Sequence, residues 1–173
     1  MPDFTKQRVV IIAEQRLIVD TVRSALRHMG IARSHLFATP KDGLSYLHAN
    51  PNDLLLIDDA LGDVSPLEFV AKLRIDKQIV SRFVPVILIS SCGRPKTIMR
   101  AIKAGVDEVL VKPLSEKTIN DRVERTILFP RECIRVPSGY IGPDRRRSVK
   151  EFMNRDDRRS QNKAQTVERW QKA

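Results

Sequence analysis

Four polar residues in this chain each close a short run of strand-type residues: Glu14 after Val9–Ile12, Asp58 after Leu54–Ile57, Ser90 after Val86–Ile89 and Lys112 after Glu108–Val111. Brought to one place, two carboxylates, a hydroxyl and an ammonium have a definite chemistry. Neighbouring carboxylates raise each other's pKa unless a cation lies between them. A hard divalent ion with oxygen ligands, ordinarily Mg²⁺, relieves that repulsion. An ammonium and a hydroxyl beside a metal-bound carboxylate then make a pocket for a phosphoryl group. In such a pocket the aspartate is the nucleophile, the cation and the lysine neutralise equatorial oxygens, and the serine donates to one of them. Asp59 follows Asp58 directly, and the plainer reading is that the two aspartates only mark a turn after a strand.

The elements that must position these groups are also visible. Leu54–Ile57 is apolar at every position, which suits a strand covered on both faces at the centre of a parallel sheet. Val9–Ile12, rich in β-branched residues, reads as a second strand. Leu17, Ile18, Val22, Ala25, Leu26 and Met29 recur with helical spacing, and the stripe stops at Gly30. A strand at Leu36–Ala38 and a helix over Asp42–His48 follow. Next come a helix carrying Leu67, Val70, Ala71 and Leu73, and a helix from Pro95 to Gly105. A last helix, N-capped by Ser115, reaches Leu128. Strands and helices alternate with short connections over about 120 residues, which predicts an α/β fold: a doubly wound, five-stranded parallel sheet with helices on both faces. In the flavodoxin-like order 2-1-3-4-5 the first and third strands are neighbours. Glu14 and Asp58 then face each other across one crevice at the C-terminal strand ends, with Ser90 and Lys112 beside Asp58.

The stretches RVVIIAEQRLIVDTVRSALRHMG, NDLLLIDDALGDVSPLEF, VPVILISS and AIKAGVDEVLVKP resemble the receiver domain of bacterial two-component response regulators, over roughly residues 8–128. The resemblance implies that Asp58 is the phospho-accepting aspartate, Ser90 the switch hydroxyl and Lys112 the conserved-type lysine, with a Lys112–Pro113 bond that is often cis. Glu14 falls on the second position of the family's acidic pair, and Ala60 on the position whose backbone carbonyl binds metal. Glu14, Asp58 and Ala60 are therefore the implied Mg²⁺ ligands. Three departures stand out. Ala13 replaces the first acid of the pair, Val109 stands where an aromatic switch residue is common, and Gly62 takes the usual proline position in the loop after Asp58. The first departure, with the longer Glu14, should weaken the metal site.

The implied function is a phosphoryl-accepting signalling switch. Its donor would be a sensor histidine kinase or a phosphotransfer protein, and its output a contact with a downstream protein or a second copy of the chain. Two alternatives remain: a degenerate receiver that acts as a phosphorylation-independent docking scaffold, and a nucleic-acid-associated protein that uses a basic tail. Asp59 is expected to be a loop residue, and Ser91 to point away from Ser90 by strand alternation. Arg16 could pair with Glu14 or reach a phosphoryl oxygen. Cys92 reads as a plain loop thiol, and His28, His35 and His48 show no ligand spacing.

The remaining stretch, 129–173, differs in kind from the receiver-like 1–128. Pro130, Pro137, Gly139, Gly142 and Pro143 break long elements, and from Tyr140 onward ten basic residues face five acidic ones, half of the chain's net charge of +10. Apolar residues there are too sparse for a separate core. Short helices at Val149–Asn154 and Lys163–Lys172 are expected, as is docking of Tyr140, Ile141, Phe152 and Trp170 on the receiver or on a second copy, with arginines outward. No helix-turn-helix pattern is visible, so specific DNA binding is not expected. Nothing approaches ~18 consecutive apolar residues, so no membrane span is expected. Without a signal-peptide pattern, and with Cys92 and Cys133 at no metal or disulfide spacing, the sequence reads as cytoplasmic.

Overall fold

A computed structural model gives the structure of residues 2–62, 64–137 and 139–144, together with the backbone of 165–167. Five parallel strands, β1 (Arg8–Ile12), β2 (Arg33–Phe37), β3 (Leu54–Asp58), β4 (Val86–Ser90) and β5 (Glu108–Val111), form one sheet in the order β2-β1-β3-β4-β5. Five helices alternate with them: α1 (Arg16–His28), α2 (Pro40–Ala49), α3 (Pro66–Ile75), α4 (Pro95–Ala104) and α5 (Glu116–Leu128). The expected order and alternation are therefore observed.

Period-two alternation divides the core between the two faces of the sheet. Val9, Ile11, Leu54, Leu56, Ile87, Ile89 and Leu110 pack against α1 and α5 through Val22, Leu26, Ile119 and Val123. Val10, Ile12, Leu55, Ile57, Val86 and Leu88 pack against α2, α3 and α4 through Leu47, Val70, Leu73 and Ala101. All five residues of β3 and of β4 are buried, as befits central strands with helices on both sides. The edge strand β2 has no buried residue, which explains why its apolar pattern placed it late, at Leu36–Ala38. Its boundaries come from the parallel ladder to β1, from Arg8 beside Arg33 to Ile12 beside Phe37.

Local signals set the helix starts. Thr39 and Ser65 cap α2 and α3 ahead of Pro40 and Pro66, and Ser115 with Thr118 forms a capping box on α5. Gly105 ends α4 at φ 100, in the left-handed region that a side chain would strain.

After α5 the chain builds a small antiparallel sheet of β6 (Cys133–Arg135), β7 (Ile141–Pro143) and β8 (Gln165–Val167), in the order β7-β6-β8. The expected helix at Lys163–Lys172 is corrected in its middle: Gln165–Val167 is a strand paired with β6, where β-branched Thr166 and Val167 suit extended backbone better than helix. The expected helix at Val149–Asn154, and the docking roles of Phe152 and Trp170, lie outside the described residues. Tyr140 does dock. Its hydroxyl donates to the Pro143 carbonyl (2.8 Å) and lies 3.3 Å from the Ile102 carbonyl of α4. Gly142 lies against Gly105 so closely that a Cβ on Gly142 would come within 2.9 Å of the Gly105 Cα. Arg131 is held by Glu108, which also receives Arg122 of α5.

Candidate functional site

The C-terminal ends of β1, β3, β4 and β5 meet at one edge. Ile12 is level with Ile57, which sets Ala13 beside Asp58 and Glu14 one residue beyond. Asp58 is level with Ile89 and Ser90 with Val111, and the Lys112 amide donates to the Ser90 carbonyl at 2.8 Å. The Lys112–Pro113 peptide is cis. Asp58 is fully buried, an unusual place for a carboxylate without a partner. The Lys112 ammonium lies 2.6 Å from its Oδ1 as an ion pair, but neither Asp58 oxygen receives a hydrogen bond of good geometry.

Asp59 lies just past β3, at the loop position expected of it, and its carboxylate makes contacts that the sequence pattern leaves unassigned. Its Oδ2 accepts from the Ser90 hydroxyl (3.1 Å) and the Ser91 amide (2.6 Å), and its Oδ1 from the Ser91 hydroxyl (3.2 Å) and the Lys112 ammonium (3.3 Å). Alternation explains the pairing. Asp58 and Lys112 continue the parity of Leu56 and Leu110 toward the α1/α5 side, whereas Asp59 and Ser90 continue that of Ile57 and Leu88 toward the other side. Ser91 lies past the last residue of β4, so the alternation expected to turn it away no longer applies. The doublet Asp58-Asp59, read with this parity, was the available signal.

Electrostatics follow the contacts. Burial pushes the Asp59 carboxyl up, but the Ser91 amide, the Lys112 ammonium and the Ser90 hydroxyl outweigh it and hold the group below the usual carboxylate range. Burial likewise pushes Lys112 down, while Asp58 first and Asp59 second pull it above the usual lysine value. Lys112 is thus a firmly charged bridge between two adjacent carboxylates.

Other expected participants stand elsewhere. Arg16 turns to Asp20 one helical turn on (3.6 Å), with its side chain 94% exposed, so it reaches neither Glu14 nor the pocket. Val109 is half-buried against the α3/α4 side of the core and offers no ring to swing. The Cys92 thiol contacts the Thr97 hydroxyl at 3.3 Å. That hydrogen bond first, and the Arg94 amide second, lower its pKa. His28 meets Glu116 on the surface and His35 packs on Tyr46.

The residues present fit a hard divalent cation. Asp58 Oδ2 is a buried oxygen with no hydrogen-bond partner, as a missing ligand would leave it. Glu14 is exposed at the same edge, with its Oε1 beside Gly62, and Ala60 follows two residues after Asp58. This oxygen-only set is sparse, and among the described residues no three acidic, histidine or cysteine side chains cluster as a metal cage. Sparse ligation suits Mg²⁺, which keeps much of its water. The ion pair between the buried Arg74 and Asp107 belongs to the opposite edge of the sheet, since the Asp107 carboxylate accepts from the amide of Val86 at the start of β4.

Comparisons with known proteins agree with this geometry. The chain is 34% identical over 119 residues to the cyclic di-GMP phosphodiesterase response regulator RpfG of Xanthomonas campestris pv. campestris, a match that covers 66% of this chain but only 30% of that protein. Among solved structures, the chemotaxis response regulator CheY4 of Vibrio cholerae superposes with a TM-score of 0.63 at 20% identity, covering 69% of this chain and 97% of that one. The receiver domain of the sensor histidine kinase PA1611 from Pseudomonas aeruginosa, solved with a magnesium ion in its active site cleft, gives 0.60 at 18%, covering 70% and 97%. No helix among the described residues is long and apolar enough to cross a membrane. Residues 9–124 match the response regulator receiver domain, and the chain belongs to that family.

Proposed function

We propose that this chain receives a phosphoryl group on Asp58 from a sensor histidine kinase or a phosphotransfer protein and passes the signal on through a changed protein-contact surface. The observation that carries this reading is the Asp58 carboxylate: fully buried, ion-paired to Lys112 at 2.6 Å, and with one oxygen lacking any hydrogen-bond partner. In the transfer one Asp58 oxygen forms a bond to phosphorus as the donor's bond to phosphorus breaks and its leaving group departs. Lys112 stays beside the carboxylate and offers its charge to the phosphoryl oxygens, and Ser90 donates its hydroxyl. Mg²⁺, bound by Asp58, Glu14 and the Ala60 carbonyl, would supply further positive charge to the same oxygens. The surface beyond the pocket, with exposed Met99 on α4 and Val111 on β5, is the natural output face.

Incubation with acetyl phosphate across a Mg²⁺ titration, read by intact mass, tests the reading. One phosphoryl group that requires Mg²⁺ and is absent from Asp58→Asn is the expected result. No mass gain at any Mg²⁺ concentration would refute it. The second reading, a scaffold that is not phosphorylated, draws on Ala13 and the sparse ligand set, and that same negative result would favour it. For residues 129–173 we propose an accessory unit that docks by Tyr140 and Gly142 at the end of α4.

A further inference from the structure

Four groups able to bind a phosphoryl oxygen at this edge are already in use. The Ser90 hydroxyl, the Ser91 amide, the Ser91 hydroxyl and the Lys112 ammonium meet the Asp59 carboxylate at 3.1, 2.6, 3.2 and 3.3 Å, and of these Lys112 alone also touches Asp58, at 2.6 Å. Two hydroxyls, a backbone amide and an ammonium aimed at one anion make a charge-assisted donor set of the kind that holds a transferred phosphoryl group. Meanwhile Asp58, one residue away, is fully buried, ion-paired to Lys112 at 2.6 Å, and has no hydrogen bond to either oxygen.

We propose that Asp59 is an internal stand-in for the phosphoryl group. Its carboxylate fills the anion-binding donors in the unmodified chain, engages the Ser90 hydroxyl, and must be displaced before a group on Asp58 can use them. This rests on Asp58 being the acceptor and adds a residue whose role is to compete with the product. Asp59 is a positioning residue in this scheme, since it acts through Ser90, Ser91 and Lys112 and forms no bond to phosphorus.

The consequence is a switch with a reduced contrast between its two states. An ordinary unmodified pocket would leave the hydroxyl and the amide to solvent, and phosphorylation would gather them. Here they are gathered already, so phosphorylation exchanges one anion for another and brings the larger charge, about −1.5 to −2 against −1. Forming the phosphorylated state is opposed by the loss of Asp59's charge-assisted hydrogen bonds, and loss of the phosphoryl group is correspondingly favoured.

The test compares wild type, Asp59→Ala and Asp59→Asn, with Asp58→Asn as control. Two readouts are followed: the rate of mass gain with acetyl phosphate and Mg²⁺, and the Ser91 amide resonance with its hydrogen-exchange rate. The expected result is that Asp59→Ala shifts the Ser91 amide upfield, speeds its exchange by about ten- to a hundredfold, and raises the labelling rate at least tenfold. Asp59→Asn, which keeps an acceptor oxygen without the charge, should fall between. An unmoved Ser91 amide in Asp59→Ala would overturn the proposal. So would a labelling rate within twofold of wild type or below it. A faster rate with an unmoved amide would assign the effect to charge alone and overturn the stand-in as well. If no variant gains mass, the acceptor role of Asp58 fails, while the Ser91 amide still decides whether Asp59 fills the donors.

Discussion

Replacing Arg74 by methionine should unfold this protein far more readily while leaving the Asp58 pocket chemically intact. Arg74 is 1% exposed at the C-terminal turn of α3. Its guanidinium donates to the Gly105 carbonyl (2.9 and 3.2 Å), to the Arg82 and Val84 carbonyls (2.7 Å each) and to Asp107 Oδ2 (3.2 Å). Methionine restores part of the volume and none of the donors. Removing one partner of a buried ion pair costs about 3–5 kcal/mol, because the other charge loses its counter-ion. The freed carbonyls act in the same direction, but their costs overlap with the first and should not be summed. Against a total stability of about 5–15 kcal/mol for a domain, this is about a fifth of the whole or more. The melting temperature should fall by roughly 10–20 °C. Urea unfolding followed by circular dichroism measures the loss. Adding Asp107→Asn, which removes the stranded charge but keeps an acceptor for the Val86 amide, should recover about 1–2 kcal/mol. A loss below about 1 kcal/mol would refute the reasoning, and so would single-variant losses that simply add in the double variant. Labelling of Asp58 at a temperature where the variant is folded should match wild type, since four residue steps of β4 put about 13 Å between the two sites.

Three further outcomes follow from the same geometry. Lys112→Ala removes the one cation that touches both carboxylates among the described residues, and should slow labelling of Asp58 by about a hundredfold or more; intact-mass kinetics within tenfold of wild type would count against its role. Gly142→Val would set its Cβ 2.9 Å from the Gly105 Cα and 2.6 Å from the Tyr140 hydroxyl, so β7 should leave α4. Limited proteolysis should then cut near 129–140 and spare the five-stranded sheet, whereas an unchanged digestion pattern would place the docking elsewhere. Cys92, with its thiol pKa lowered, carries more thiolate at neutral pH than a free cysteine, while Cys133 is 1% exposed. Iodoacetamide at pH 7 should therefore modify Cys92 first, with a rate that levels off at a lower pH than for a free thiol; equal modification of Cys133 in the folded protein would contradict this.

The fold was legible because its central strands are apolar without interruption and its helices carry Gly, Pro and Ser at their ends. Leu54–Asp58 and Val86–Ser90 could be placed almost to the residue, since burial on both faces leaves no polar position inside the run. The edge strand β2 was harder, because its Arg33-Ser34-His35 segment is held by backbone pairing and not by burial. Glu14, Asp58, Ser90 and Lys112 were found as strand ends, and the structure brings them to one edge. The partnership of Asp59 was missed for a physical reason. Alternation holds only within β4 and so does not turn Ser91 away, whereas continued one residue past β3 it places Asp59 on the same side as Ser90. Arg16 was offered to Glu14 from nearness in sequence, but a helix presents it to the residue four positions on.

The pocket and the C-terminal hairpin are connected by the helix with the least burial. Ala101 is the one fully buried residue of α4, whereas α1 has five and α3 four. Such a helix has few buried anchors, and its local stability is correspondingly low. Its N-terminal end begins at Pro95, directly after the loop in which the Ser90 hydroxyl and the Cys92 amide face each other at 3.1 Å. Its C-terminal end, at Ile102 and Gly105, lies beneath Tyr140, Ile141 and Gly142. A displacement of Asp59 frees Ser90 and Ser91 and therefore acts on the first end, while the hairpin resists at the second. With Val109 in place of an aromatic ring, no side-chain swing is available to carry the change. The contacts at the two ends of α4 therefore place this helix between the Asp58 pocket and the C-terminal strands.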